Sequence, residues 1–155
     1  MKKCFSVIAP LAVTMLAVTI AASSTPNFTG EWKLNLAKSD YGPIQQFAPE
    51  FMIRTIKHDD PALHISTHQK GAQGEVTTEL DYTTDGKLSE NKGSKGTAKW
   101  DGEKLVVDSV RDLQGNELKQ HDVWSLSADG KLMTVNSHLT AQGGEFDILF
   151  VFDKQ

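Results

Sequence analysis

Turn signals recur along this chain at intervals that leave room only for short strands between them. They stand at Asp59-Asp60-Pro61, Gly71 to Gly74, Asp85-Gly86, Gly93 to Gly96, Asp101-Gly102, Gly115-Asn116, Asp129-Gly130 and Gly143-Gly144. Asp-Gly and Gly-Asn tolerate positive φ and so favour tight hairpins. The segments between them often alternate. The clearest is Phe146 to Phe152, with an aromatic or aliphatic residue at every even position. This region carries no convincing amphipathic helix. The pattern predicts about ten strands, beginning near Glu31, Phe51, Leu63, Glu75, Lys87, Thr97, Lys104, Leu118, Lys131 and Glu145. The expected fold is all-β, an antiparallel up-and-down β-barrel of about eight to ten strands, because closure removes exposed sheet edges. The alternative is an open sandwich.

The first residues belong to another class. Lys2 and Lys3 precede an uncharged, mostly apolar run of 17 residues, Cys4 to Ile20, and the small residues Ala21 to Ser24 follow. This reads as a signal peptide over 1–24, with a single barrel domain over 25–155. Pro10 and the shortness of the run favour cleavage over a lasting membrane anchor. Cys4, the lone cysteine, leaves with the signal, so the exported chain is expected to have no disulfide. That combination suits a bacterial periplasm or medium, giving a secreted or periplasmic localisation. Without Lys2 and Lys3, fourteen basic residues face twenty acidic ones, a net charge of −6.

Such a charge, with no Lys/Arg cluster, argues against a nucleic-acid partner. Cofactor and catalytic motifs are lacking: there is no phosphate loop, no Gly-x-Ser-x-Gly elbow and no reactive cysteine. His64 and His68 share a strand face but lie about 13 Å apart along it, too far to ligate one metal together. His58, His121 and His138 are likewise expected on solvent faces of strands. No cofactor and no metal are expected.

Hairpin registers identify the interior. With Gly115-Asn116 as a two-residue loop, Val107 faces Trp124 and Leu105 faces Leu126. Across Asp129-Gly130, Trp124 is set against Met133 and Asp122 against Val135. Pairing Leu139 with Phe146 places Val135 beside Phe150 and Met133 beside Phe152. All fall on one face, as a shared interior requires. That face also carries Ser109, Arg111, Gln120 and Asp122, so the interior is apolar at one end, and at the other Arg111 binds an anion, pairs with Asp122 or sits at the barrel rim in water.

Phe28-Thr29-Gly30-Glu31-Trp32-Lys33-Leu34 resembles the F-x-G-x-W-x-L opening strand of the calycins, the superfamily of lipocalins and fatty-acid-binding proteins. The turn series, the Asp129-Gly130-Lys131-Leu132 hairpin and the ending Phe152-Asp153-Lys154 are similar to the intracellular fatty-acid-binding branch. The resemblance implies a barrel with Trp32 across its closed end and a small apolar ligand inside. Three features differ. Ala37 to Pro49, with Pro43 and Pro49, is too short for the two lid helices of that branch, and an irregular loop anchored by Tyr41 and Phe47 is expected. The R-x-Y pair that grips a fatty-acid carboxylate is matched by Phe150 and Phe152. Where lipocalins pack an arginine over the tryptophan, this chain offers Lys154.

The resulting expectation is an exported barrel that binds a small apolar or amphiphilic molecule, without stable membrane insertion. The candidate ligand-binding residues are Arg111, Gln120, Asp122, Trp124, Met133, Phe146, Phe150 and Phe152. Two other readings stay open: a structural or protein-interaction barrel filled by its own side chains, and a calycin-type isomerase or cyclase using Asp122 and Arg111.

Overall fold

The computed structural model describes residues 25–155. The segment read as a signal peptide lies outside the described residues. Ten strands follow one another: β1 Gly30–Leu34, β2 Phe51–Asp59, β3 Ala62–Gly71, β4 Gly74–Thr83, β5 Asp85–Asn91, β6 Ser94–Asp101, β7 Lys104–Leu113, β8 Asn116–Leu126, β9 Leu132–Ala141 and β10 Gly144–Lys154. Chain neighbours pair antiparallel except β4 and β5, and β1 also pairs with β10, so the sheet order is β4-β3-β2-β1-β10-β9-β8-β7-β6-β5. The result is a nearly closed up-and-down barrel.

The two end strands, β4 and β5, meet without a backbone ladder. A side chain bridges this seam instead. The Asn91 amide oxygen accepts the Asp81 N–H at 2.7 Å, and its NH₂ donates to the Asp81 carbonyl at 3.1 Å. One asparagine thereby supplies both hydrogen bonds that a paired strand residue would make to Asp81.

Registers agree with the sequence at one hairpin and shift at two. Leu139 faces Phe146, Val135 faces Phe150 and Met133 faces Phe152, as expected. Between β7 and β8 the turn residues are Gln114 and Gly115, not Gly115 and Asn116, so Leu105 faces Trp124 and Val107 faces Asp122. Gln114 itself adopts φ 57°. Between β8 and β9, Trp124 faces Val135 and Asp122 faces Ser137. Both shifts amount to two residues, one full pleat, so every side chain stays on its expected face.

The closed end is plugged by aromatic rings. Phe28 is fully buried, stacked on Trp100 at 6.1 Å and edge-on to Trp124 at 5.7 Å. Trp32 is also fully buried and donates from Nε1 to the Phe28 carbonyl at 2.9 Å. Lys154 lies over its ring at 5.2 Å. The glycine of the opening motif makes room for this. Gly30 has φ +147°, and a Cβ there would stand 2.9 Å from Lys154 Cε. His58 corrects one expectation: it is buried rather than solvent-facing. Its Nδ1 accepts the Phe28 N–H at 3.3 Å, which leaves Nε2 to donate to Asp60. The other four histidines sit on outer strand faces, each beside a carboxylate of a neighbouring strand.

Between β1 and β2 the lid holds one short 3-10 segment, Gly42–Phe47, kinked at Ile44, in place of a helix pair. Its two aromatics behave differently. Tyr41 is buried and packs edge-on against Phe150 at 5.4 Å, whereas Phe47 is 67% exposed and anchors nothing. Asp40 and Leu149 exchange backbone hydrogen bonds of 2.8 and 2.7 Å, tying the loop to β10.

Asp60 ties three parts of the closed end together. Its carboxylate accepts from Thr84 Oγ1, from Trp100 Nε1 at 3.0 Å and from His58. These bonds, Thr84 first and Trp100 second, hold its pKa below the usual carboxylate value. Asp60→Ala is expected to lower unfolding free energy by about 1–3 kcal/mol at neutral pH. A depressed folded-state pKa gives stability that is present above the unfolded pKa and lost as pH falls through the folded value. Denaturant titrations at neutral and acidic pH should therefore show the gap between wild type and variant narrowing in acid.

Candidate ligand-binding cavity

Above the aromatic plug the barrel interior is hollow, with a cavity of about 220 Å³. On β8, Trp124, Asp122, Gln120 and Leu118 line it in succession from the closed end upward. On β7 the lining residues Val107, Ser109 and Arg111 climb toward the Gln114–Gly115 turn, and on β3 Ile65, Thr67 and Gln69 climb toward the Ala72–Gln73 turn. Alternation in the pleat makes each of these sets inward-facing.

Of the eight residues expected from sequence, Arg111, Gln120, Asp122, Trp124 and Phe150 border the cavity. Met133 and Phe152 lie beneath it, fully buried in the core, and Phe146 is half-buried against that core without reaching the lining. The expected Arg111–Asp122 ion pair does not form. Asp122 instead takes the Gln120 Nε2 amine at 3.0 Å on both oxygens, and the same amine lies 3.1 Å from Ser137 Oγ. Gln120 sits two residues from Asp122 on the same inward face and reaches it first.

A second cation, missed from sequence, stands in this cavity. Arg54 of β2 projects inward opposite β8, with its guanidinium carbon 5.1 Å from the Trp124 ring centre and 4.9 Å from that of Phe152. Its Nε and Nη1 are sealed from solvent and have no hydrogen-bond partner. Part of its remaining surface borders the cavity. Burial pushes its pKa down to about 10, with Asp122 opposing and Arg111 reinforcing the shift. It remains a cation at neutral pH. The rings compensate part of the lost hydration, about 2 kcal/mol for a desolvated cation–π contact, against a desolvation cost of several kcal/mol. Neither Arg54 nor Arg111 forms an ion pair among the described residues. Two cations and one carboxylate, itself occupied by an amide, leave the cavity electropositive.

Other polar groups here are also donors. Tyr41 Oη is buried and unpartnered, and burial raises its pKa to about 12 despite the nearby Arg54. Trp124 Nε1 is likewise unpartnered. Burial raises the Tyr82 phenol too, with Arg111 opposing. Among the described residues no group of three or more His, Cys, Asp or Glu side chains is placed to hold a metal ion.

No family model and no curated protein matches the sequence. Solved structures do match. A zebrafish ileal bile acid-binding protein complexed with cholic acid is 16% identical, with TM-score 0.57, over 83% of this chain and 98% of that one. A secretory abundant heat soluble (SAHS) protein from Ramazzottius varieornatus is 10% identical, with TM-score 0.60, over 86% of this chain and 98% of that one. The fluorescent protein UnaG is 16% identical, with TM-score 0.53, over 83% and 97%. The barrel is calycin-like.

This calycin-like barrel arranges its charge in its own way. The side chains of Phe150 and Phe152, which the sequence resemblance matches to the R-x-Y pair of fatty-acid-binding proteins, donate no hydrogen bond. The ring of Phe152 instead forms one wall of the slot that holds Arg54. A signal for Arg54 was present in the sequence. Taking Asp60-Pro61 as a two-residue turn pairs Ile56 with Ile65 and Arg54 with Thr67, which the structure confirms. The parity of Ile56 and Leu63 then points Arg54 inward.

An unpaired cation in the interior weakens the empty protein. Arg54→Met is expected to raise the unfolding free energy of the ligand-free protein by about 1–3 kcal/mol. Because the folded-state pKa lies below the unfolded one, the penalty is full at neutral pH and fades only as pH rises through about 10. Thermal melts at pH 7 check the gain. Tyr41→Phe removes an unpartnered hydroxyl and should leave the melting temperature unchanged or higher.

Proposed function

We propose that this protein is an exported carrier or receptor that encloses a small amphiphilic molecule, acidic head group inward, and that it acts by binding rather than catalysis. The observation that carries this reading is the pair of guanidinium groups, Arg54 and Arg111, in an interior cavity where no carboxylate contacts either one. A protein gains nothing in stability from such an arrangement. An anion entering the cavity would supply the missing counter-charge in a low-dielectric site, where it is worth most. The remaining wall is mixed: Ile65, Leu80, Val107, Leu118, Leu139 and Phe150 are apolar, and Thr67, Gln69, Thr78, Tyr82 and Ser109 are polar. Polar groups set among apolar side chains are the usual composition of a small-molecule site. The zebrafish neighbour, a bile acid-binding protein complexed with cholic acid, supports an interior site in a barrel of this shape. Export rests on the charged, apolar and small-residue succession over 1–24.

Native mass spectrometry of protein purified from cells expressing the full chain tests both parts. A chain beginning near residue 25 and carrying a defined organic acid is the expected result. Displacement of an anionic, environment-sensitive dye by that acid would place it in the cavity. A chain that retains 1–24 would overturn export, and one that binds neither dye nor any extracted acid would overturn the binding role.

A further inference from the structure

The volume and wall chemistry of the cavity narrow the ligand further, on the premise that the interior is a binding site. We infer that the cavity takes a compact, flat carboxylate of benzoate-like size, with its carboxylate on Arg54 and its ring among the apolar side chains, and that it excludes long acyl chains and steroids.

Size comes first. An apolar cavity of about 150 Å³ holds one benzene ring, so 220 Å³ has room for about nine non-hydrogen atoms by the same measure. This lies below the range of about 300–1,000 Å³ typical of sites for drug-sized ligands. A longer tail would have to leave through the open end. There it would meet the hydroxyl and amide groups of Thr67, Gln69 and Thr78, with Met52 beside Gln69 the apolar lining residue at that level. Phe47 of the lid, 67% exposed, adds nothing to an apolar path.

Shape and charge come next. Arg54 lies over the Trp124 and Phe152 rings, which restrict its movement, and with Nε and Nη1 sealed it presents Nη2 to the cavity. A rigid guanidinium selects a planar acceptor such as a carboxylate over a rotating or bulky head. Two guanidinium groups line the cavity against one carboxylate, Asp122, which already takes the Gln120 amide on both oxygens. The site therefore favours a simple anion over a zwitterion. Leu80, Leu118, Leu139 and the Phe150 ring line the same cavity and supply apolar surface for a ring.

Calorimetric titration with four probes tests this: benzoate, its neutral analogue benzyl alcohol, palmitate and cholate. Protein from cells expressing the full chain is titrated as wild type and as Arg54→Met, with melting curves showing that both are folded. Benzoate is expected to bind at least tenfold tighter than benzyl alcohol, and at least tenfold tighter than palmitate or cholate. Arg54→Met should cut benzoate affinity at least tenfold while leaving benzyl alcohol within about threefold. Tighter binding of palmitate or cholate would overturn the compact ligand while leaving the carrier role intact. Equal affinity for benzoate and benzyl alcohol would overturn the carboxylate assignment, and unchanged benzoate affinity in the variant would overturn the role of Arg54. Binding of none of the four would overturn this inference and count against the carrier role as well. The wild-type comparisons decide the ligand class even if the variant does not fold.

Discussion

Phe28 holds the closed end of this barrel together. It precedes the first strand, yet its ring touches those of Trp100 on β6, Trp124 on β8 and His58 on β2, and its carbonyl receives the Trp32 indole. Three separated strands thus converge on one fully buried ring. The barrel needs such a plug because its hydrogen-bonded wall is incomplete. β4 and β5 meet without a ladder, and Asn91 and Asp60 bridge the two sides of that gap with side-chain bonds. With one end sealed in this way, the space above it can remain empty without the wall collapsing inward.

The charged interior depends on that plug. Trp124 and Phe152 serve two purposes at once: one side of each belongs to the packed core, and a face of each is turned to the Arg54 guanidinium. Rings fixed from below can hold a cation that no carboxylate pairs. A solvent-exposed arginine would cost nothing, and one in a salt bridge would be spoken for. Arg54 is neither, and the depression of its pKa toward 10 records the unfavourable burial. Stability given up at a site of this kind, while the rest of the barrel follows the usual rules of alternation and turn chemistry, is what the proposed binding role rests on.

Much of this was legible beforehand, and the parts that were not share a cause. Ten strands and their turns follow from Gly, Asp and Asn at short intervals, since the φ values those residues tolerate are a local property. The interior face of β7 to β10 followed from parity alone, which is why shifts of two residues at Gly115 and at Asp129-Gly130 left Arg111, Asp122 and Trp124 inside. Arg54 and His58 escaped notice because β2 points an arginine and a histidine inward beside Met52 and Ile56, so its alternation does not show as apolar against polar.

Local sequence therefore determined the strands, the hairpins and the side of the sheet on which each residue lies, because backbone conformation and the two-residue pleat act over a few neighbouring positions. Which inward residues touch was decided only by the closed barrel. Gln120 rather than Arg111 reached Asp122, Met133 and Phe152 fell into the plug while Phe150 bordered the cavity, and Arg54 came to lie between two rings from β8 and β10. Those partners are set by curvature, by the offset of strands around the wall and by competition for limited space. Each of these depends on all ten strands at once.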